Sequence, residues 1–305
     1  MSDIIQSTAE KIKKLQVQGA RNVAIAAVKA IQTQAQQTKT NSKKQFLAEL
    51  KQAQKIFATT RETEPLMRNA IRYLITQTED VATEKVSELS QIVNVKATQF
   101  LRDLEESKEI IAEIGARRIQ NNSVVFTHCH SSTVNHLFAK AKADGKNFKV
   151  ICTETRPAFQ GRITAKKLVD LGIETTFIVD SAARTFMNKV DAVFVGADAI
   201  TSEGNVVNKI GTSSIAVLAM EARTPLYVVT ELLKFNPETL SGECEKIEHR
   251  GIGEVWSEAP DGLKICNPAF DVTPNRYIHG LICEEGIIAP QTIVQVIKPK
   301  YPWIL

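Results

Sequence analysis

Apolar positions first recur at helical spacing and then change rhythm. Ile5, Ala9, Ile12 and Leu15 share one helical face, and Val23, Ala27 and Ile31 share another. Val86, Leu89, Val93, Ala97, Phe100 and Leu104 predict one long helix over about 80–118. The Gln-rich "QTQAQQTKTNSKK" between these segments reads as a helix end and a loop. From about residue 120 the apolar positions form short runs: "SVVFTH", "FKVICTE", "TTFIVD", "AVFVGAD", "PLYVVT" and "GLICEE". Helical patterns over about 131–144, 162–171, 208–222 and 290–297 follow or separate these runs. Alternating strands and helices predict a parallel sheet with right-handed crossovers and both faces covered. The expected fold is therefore α/β, a helical N-terminal domain (1–120) followed by a parallel-sheet domain (121–305).

Breaker residues agree with this division. Twelve of the fourteen glycines and nine of the ten prolines fall after residue 120. The 305 residues suffice for two domains, and 43% apolar with 24% charged residues is the composition of a globular chain. A net charge of +4 without a long basic block argues against a broad nucleic-acid surface. No apolar run approaches the roughly 18 residues of a membrane span, and "MSDIIQSTAEKIKK" is not a signal peptide. Five scattered cysteines without CxxC spacing point to a reducing cytoplasm, with no disulfide or structural zinc.

Open parallel sheets bind ligands beyond the carboxyl ends of their strands. The first four strands here end in "THCHSS", "TETRP", "VDSAAR" and "GADAI". On an extended strand His128 and His130 would face away from Cys129, so the three would not chelate one metal ion. Cys129 reads either as a thiol activated by basic neighbours and a helix N-terminus or as a buried structural cysteine. Asp198, in an apolar setting, reads as a general acid with a raised pKa or as a turn aspartate. Arg156, Arg162, Arg184, Lys209 and Lys234 recur around the same edge, with Gly161 and Gly211 allowing close backbone approach; together they suit phosphate. Gly19 interrupts helical sequence in "QGARN", and Arg21 and Arg61 could add charge from the helical part.

Taken together, "THCHSS", "TETRPAFQGRITAKKL", "VDSAAR", "GADAITSEGNVVNKIGT", "KFNPET" and "NPAFDVTP…EEGIIAP" resemble the archaeal ribose-1,5-bisphosphate isomerases. Those enzymes belong to the superfamily of translation initiation factor 2B alpha/beta/delta regulatory subunits and methylthioribose-1-phosphate isomerases. The resemblance implies a Rossmann-like sheet domain with the site between it and the helical domain. It implies a catalytic Cys129 and Asp198, and substrate contacts at Gly19, Ala20, Arg21, Arg61, Ser131, Ser132, Thr133, Asn208, Lys209 and Lys234. Relatives usually carry Arg before the Gly-Ala where this chain has Gln18, which makes Arg21 the candidate replacement. The implied reaction turns α-D-ribose 1,5-bisphosphate into D-ribulose 1,5-bisphosphate in AMP breakdown, with no metal or redox cofactor. The alternatives are methylthioribose-1-phosphate isomerase and a non-catalytic regulatory subunit. Retention of both Cys129 and Asp198 favours an enzyme. Self-association as a dimer or hexamer is also implied. The apolar tail Tyr301, Trp303, Ile304 and Leu305 is expected to lie under a partner subunit or the protein's own core, and the superfamily's habit of dimerising favours the partner.

Overall fold

The computed structural model describes residues 3–61 and 63–305. Its first part is helical: α1 (Asp3–Lys13), α2 (Ala20–Gln36), α3 (Lys43–Ala58), α4 (Pro65–Glu79) and α5 (Val86–Ala116). The Gln-rich stretch ends α2 and leads to Ser42, whose hydroxyl caps α3 by accepting from the Gln45 N–H at 3.4 Å. α4 opens on Pro65, where a missing N–H costs nothing. Two boundaries differ from expectation. Leu15 lies beyond α1 with a left-handed φ of 58°, and α5 begins at Val86 because residues 81–85 are non-helical. Over its 31 residues α5 serves two layers. Leu89, Val93, Phe100 and Leu104 pack within the helical bundle, whereas Ile111 and Ala116 pack with the far face of the sheet.

The remaining elements are β1 (Val124–Thr127), α6 (Ser132–Ala143), β2 (Lys149–Thr153), α7 (Gly161–Asp170), β3 (Glu174–Ile178), α8 (Ala183–Met187) and β4 (Ala192–Val195). They continue as β5 (Ala199–Ile200), β6 (Val206–Lys209), α9 (Thr212–Glu221), β7 (Leu226–Val229), β8 (Phe270–Thr273), β9 (Gly280–Cys283), β10 (Gly286–Ile288) and α10 (Ile293–Lys300). The main sheet has the order β10-β9-β7-β4-β1-β2-β3, parallel except for the edge strand β10. The chain steps outward from β1 through β2 to β3, then returns to place β4 against the other side of β1. That reversal is the topological switch point of a doubly wound sheet, where the crevice for a ligand opens. The six apolar runs read from the sequence are the six parallel strands.

A second, antiparallel sheet, β5-β6-β8, was not foreseen. It corrects the helix expected from residue 208: Asn208 and Lys209 pair with Asp271 and Phe270, and α9 starts only at Thr212. The tail is also corrected. Ile304 is buried, Tyr301 and Trp303 pack against the protein's own core, and the Trp303 ring lies 5.2 Å from that of Tyr73 on α4. Of the four residues expected under a partner, Leu305 remains exposed. Among the described residues no helix is long and apolar enough to cross a membrane.

Candidate active site at the topological switch point

Cys129 lies two residues beyond β1, with φ at +69°, a conformation that few residues other than glycine adopt. Hydroxyls hold it from both sides. The Cys129 N–H donates to Thr155 Oγ1 at 2.9 Å, and its carbonyl accepts from Thr164 Oγ1 at 2.9 Å. The Sγ reaches Gln160 Oε1 at 3.8 Å. This turn also corrects the extended geometry assumed for the histidines. The His128 ring contacts Thr153 Oγ1 at 2.6 Å and the Ile210 carbonyl at 2.9 Å, while the His130 ring contacts Thr164 Oγ1 at 3.0 Å. Ser131 then caps α6, accepting from the Val134 N–H at 3.3 Å, and Ser132 and Thr133 form the first turn.

Asp198 follows β4, the strand beside β1. Its N–H donates to the Val207 carbonyl at 2.8 Å, which fixes it to the small sheet. Asn208 and Lys209 end β6 on the same side. The Asn208 amide donates to Thr212 Oγ1 at 3.0 Å, and Lys209 Nζ lies 5.0 Å from the centroid of the Phe270 ring. Above these strand ends the helical part supplies the opposite wall: Gly19, Ala20 and Arg21 at the start of α2, and Arg61 ahead of α4. Lys234, after β7, completes the set. A cleft of about 300 Å³ brings together the twelve catalytic and substrate-contact residues that the resemblance implied.

Other expectations fail. Arg156, Arg162 and Arg184 are exposed and lie outside the cleft lining, bonded to the Val255 carbonyl, Glu154 and Asn188 respectively. Pro157 and Ile163, the neighbours of two of them, line the cleft instead. The close approaches at Gly161 and Gly211 are internal. A Cβ on Gly161 would meet the Thr153 carbonyl at 1.7 Å, and one on Gly211 would meet the His128 ring at 3.1 Å. The α9 N-terminus is already occupied, since Asp271 accepts from the N–H groups of Gly211 (2.7 Å) and Ser213 (3.1 Å).

The cations are largely paired. Arg21 donates to the Leu104 carbonyl at 2.6 Å, to Glu231 at 3.4 Å and to Glu105. Its charge is thus already engaged at the position where it was expected to stand in for the missing arginine at Gln18. Arg61 Nε donates to Glu248 at 2.7 Å, and its Nη2 lies 3.4 Å from Glu64. Lys234 Nζ is 3.1 Å from Glu231. Burial alone would raise the Glu231 carboxyl, but Lys234 and Arg21 outweigh it and hold the group below its usual range. Lys209 forms no ion pair among the described residues.

Burial pushes the Cys129 thiol up to about 12, against the pull of Lys209. The expected lowering by a helix N-terminus is overridden because the sulfur is buried. Burial likewise raises Asp198, although its side chain borders the cleft and Lys234, Lys209 and Arg61 pull it back. Both groups therefore shift in one direction, rather than oppositely as expected. The sequence reading missed Glu64, Gln160 and Arg250, which also line the cleft, and Glu231 beneath it. Gln160 stands inside the "TETRPAFQGR" motif, whereas nothing local marks Glu64 or Glu231.

The model of the initiation factor 2 subunit family matches residues 16–290. The chain belongs to that family. Ribose 1,5-bisphosphate isomerase of Thermococcus kodakarensis is 41% identical to this family member, over 97% of the chain and 94% of the relative. A methylthioribose-1-phosphate isomerase of Acetivibrio thermocellus is more distant, 35% identical over 92% of the chain and 87% of that enzyme. Among solved structures, translation initiation factor eIF-2B of Pyrococcus horikoshii superposes with a TM-score of 0.83 at 30% identity, covering 95% of this chain and 98% of that one.

Proposed function

We propose that this protein is an aldose–ketose isomerase that converts α-D-ribose 1,5-bisphosphate to D-ribulose 1,5-bisphosphate. The observation that carries the reading is the meeting of Cys129 and Asp198 at the switch point, in a cleft shared with Arg61, Lys209 and Lys234. Two helix N-termini, of α2 and α6, border the same cleft and suit anionic groups. A phosphate at each end of a sugar uses both walls, whereas a methylthio group would leave one wall's polar groups unmatched. The Thermococcus enzyme named above supports the same substrate.

In this reading protonated Asp198 donates to the ring oxygen as its bond to C1 breaks. The Cys129 thiolate removes the C2 proton, giving a cis-enediol-like intermediate. Asp198, now a carboxylate, takes the proton of the C2 hydroxyl, and Cys129 returns a proton to C1. A raised Asp198 suits the first step, because the acid must be protonated near neutral pH. The raised thiol requires that its thiolate form within the substrate complex, where Lys209 is the cation that favours it.

The domain division at residue 120, a homodimer that extends to a hexamer, and a cytoplasmic setting belong to the same proposal. The free state of all five cysteines supports a reducing compartment. The deciding assay follows turnover of ribose 1,5-bisphosphate and 5-methylthioribose 1-phosphate side by side. A preference of about a hundredfold or more in kcat/KM for the bisphosphate is expected. Equal or reversed preference rejects the substrate, and turnover of neither compound favours a regulatory subunit.

A further inference from the structure

Glu64 immediately precedes α4, borders the cleft, and is 1% exposed. Among the described residues neither of its carboxyl oxygens has a hydrogen-bond partner. Buried polar groups are almost always satisfied, so an unsatisfied carboxyl at the edge of a ligand cleft calls for an explanation. Arg61 does not supply it. That guanidinium donates to Glu248 at 2.7 Å and comes only within 3.4 Å of Glu64, without a hydrogen bond. Glu231 differs in that Arg21 and Thr133 both donate to its Oε1, which leaves just one of its two oxygens, the one 3.1 Å from Lys234, without a hydrogen bond among the described residues.

We infer that Glu64 is a further substrate-binding residue, a neutral carboxylic acid whose O–H donates to an oxygen of the sugar held between Arg61 and Lys234. The inference rests on the sugar-bisphosphate reading and deepens it. The charged and titratable groups around Glu64 are Arg61 on its own segment, Asp198 after β4, Lys234 after β7 and Glu248 ahead of β8. Burial outweighs the two cations and pushes Glu64 to about 8, so the donor form prevails at neutral pH. An ionised Glu64 would lose the donor and place a negative charge beside an anionic ligand. Binding must therefore weaken as pH rises through that range.

Calorimetric titration of ribose 1,5-bisphosphate and ribulose 1,5-bisphosphate tests this on wild type, E64Q and E64A from about pH 7 to about pH 9.5. Across that window both phosphates are already dianionic and lysines still charged. Wild-type affinity is expected to fall about tenfold across it. E64Q keeps a donor but cannot ionise, so most of that fall should vanish, leaving only what Asp198 contributes. E64A should bind about fivefold or more weaker than E64Q near pH 7, where only the hydrogen bond separates them. Equal pH slopes for wild type and E64Q, or equal affinity of E64A and E64Q, would overturn the inference. Binding with these slopes but without wild-type turnover would sink the isomerase reading and leave Glu64 standing. Absence of bisphosphate binding by wild type would overturn both.

Discussion

The two walls of the cleft hold their cations differently. On the helical wall Arg21 and Arg61 arrive already neutralised, by Glu105 and Glu231 in one case and by Glu248 in the other. On the wall of strand ends Lys234 is likewise paired, with Glu231, whereas Lys209 forms no ion pair among the described residues and lies 5.0 Å from the centroid of the Phe270 ring. The first arrangement ties the helical part to the sheet part, since Glu231 and Glu248 come from the far side of the chain. The second leaves a cation free for a ligand. Paired and unpaired cations thus share one small cleft, and Arg61 and Lys209 should respond to mutation in different ways.

The largest effect belongs to the strand-end wall. Cys129→Ser and Asp198→Asn are each expected to lower turnover by about a thousandfold, with sugar-bisphosphate binding and thermal unfolding little changed. Stopped assays on both variants, with calorimetry on the same preparations, measure this. A Cys129→Ser enzyme with near wild-type turnover would reject the thiolate base.

The next comparison sets Arg61→Ala against Lys209→Ala. Arg61 is 8% exposed and donates to the Glu248 carboxylate, so its loss leaves that partly buried charge unpaired and should destabilise the fold by about 3–5 kcal/mol. Lys209→Ala should leave unfolding within about 0.5 kcal/mol of wild type but weaken bisphosphate binding by about 1.5–3 kcal/mol, with a reduced salt dependence. Urea unfolding and calorimetry on the two variants separate these outcomes. Equal loss of stability in both would erase the distinction between the walls.

Much of the strand-end wall was legible in the sequence. "VVF" and "AVFV" are strands buried on both faces, and such strands read as unbroken apolar runs. Cys129 and Asp198 stand just past their ends, where an open parallel sheet places its ligand. The depth of Cys129 was not legible, because it depends on Thr155 and Thr164 closing over the turn from β2 and α7. Nor was β6, four residues long and stabilised by pairing with β8 some sixty residues later. The helical wall was harder to read. Glu64 before Pro65 has the local appearance of a surface helix cap, and its burial comes from elements more than a hundred residues away in the chain.

The smallest predicted effect tests that burial without any ligand. In the unfolded chain a glutamate loses its proton near about 4.3, whereas burial holds Glu64 in the folded protein to about 8. Between those values the folded state binds more protons than the unfolded one, so this group makes stability fall as pH rises. Above about 8 both states are ionised and the contribution is level. Glu64→Gln has no proton to lose and removes the slope. The variant should therefore gain on wild type between about pH 5 and about pH 9, by an amount on the order of 1–2 kcal/mol, since relaxation around a buried charge offsets part of its cost. Urea unfolding at both pH values measures the gap. A constant difference would mean that Glu64 is ionised throughout and that Arg61 holds it as a counterion, making the helical wall charge-paired at every position.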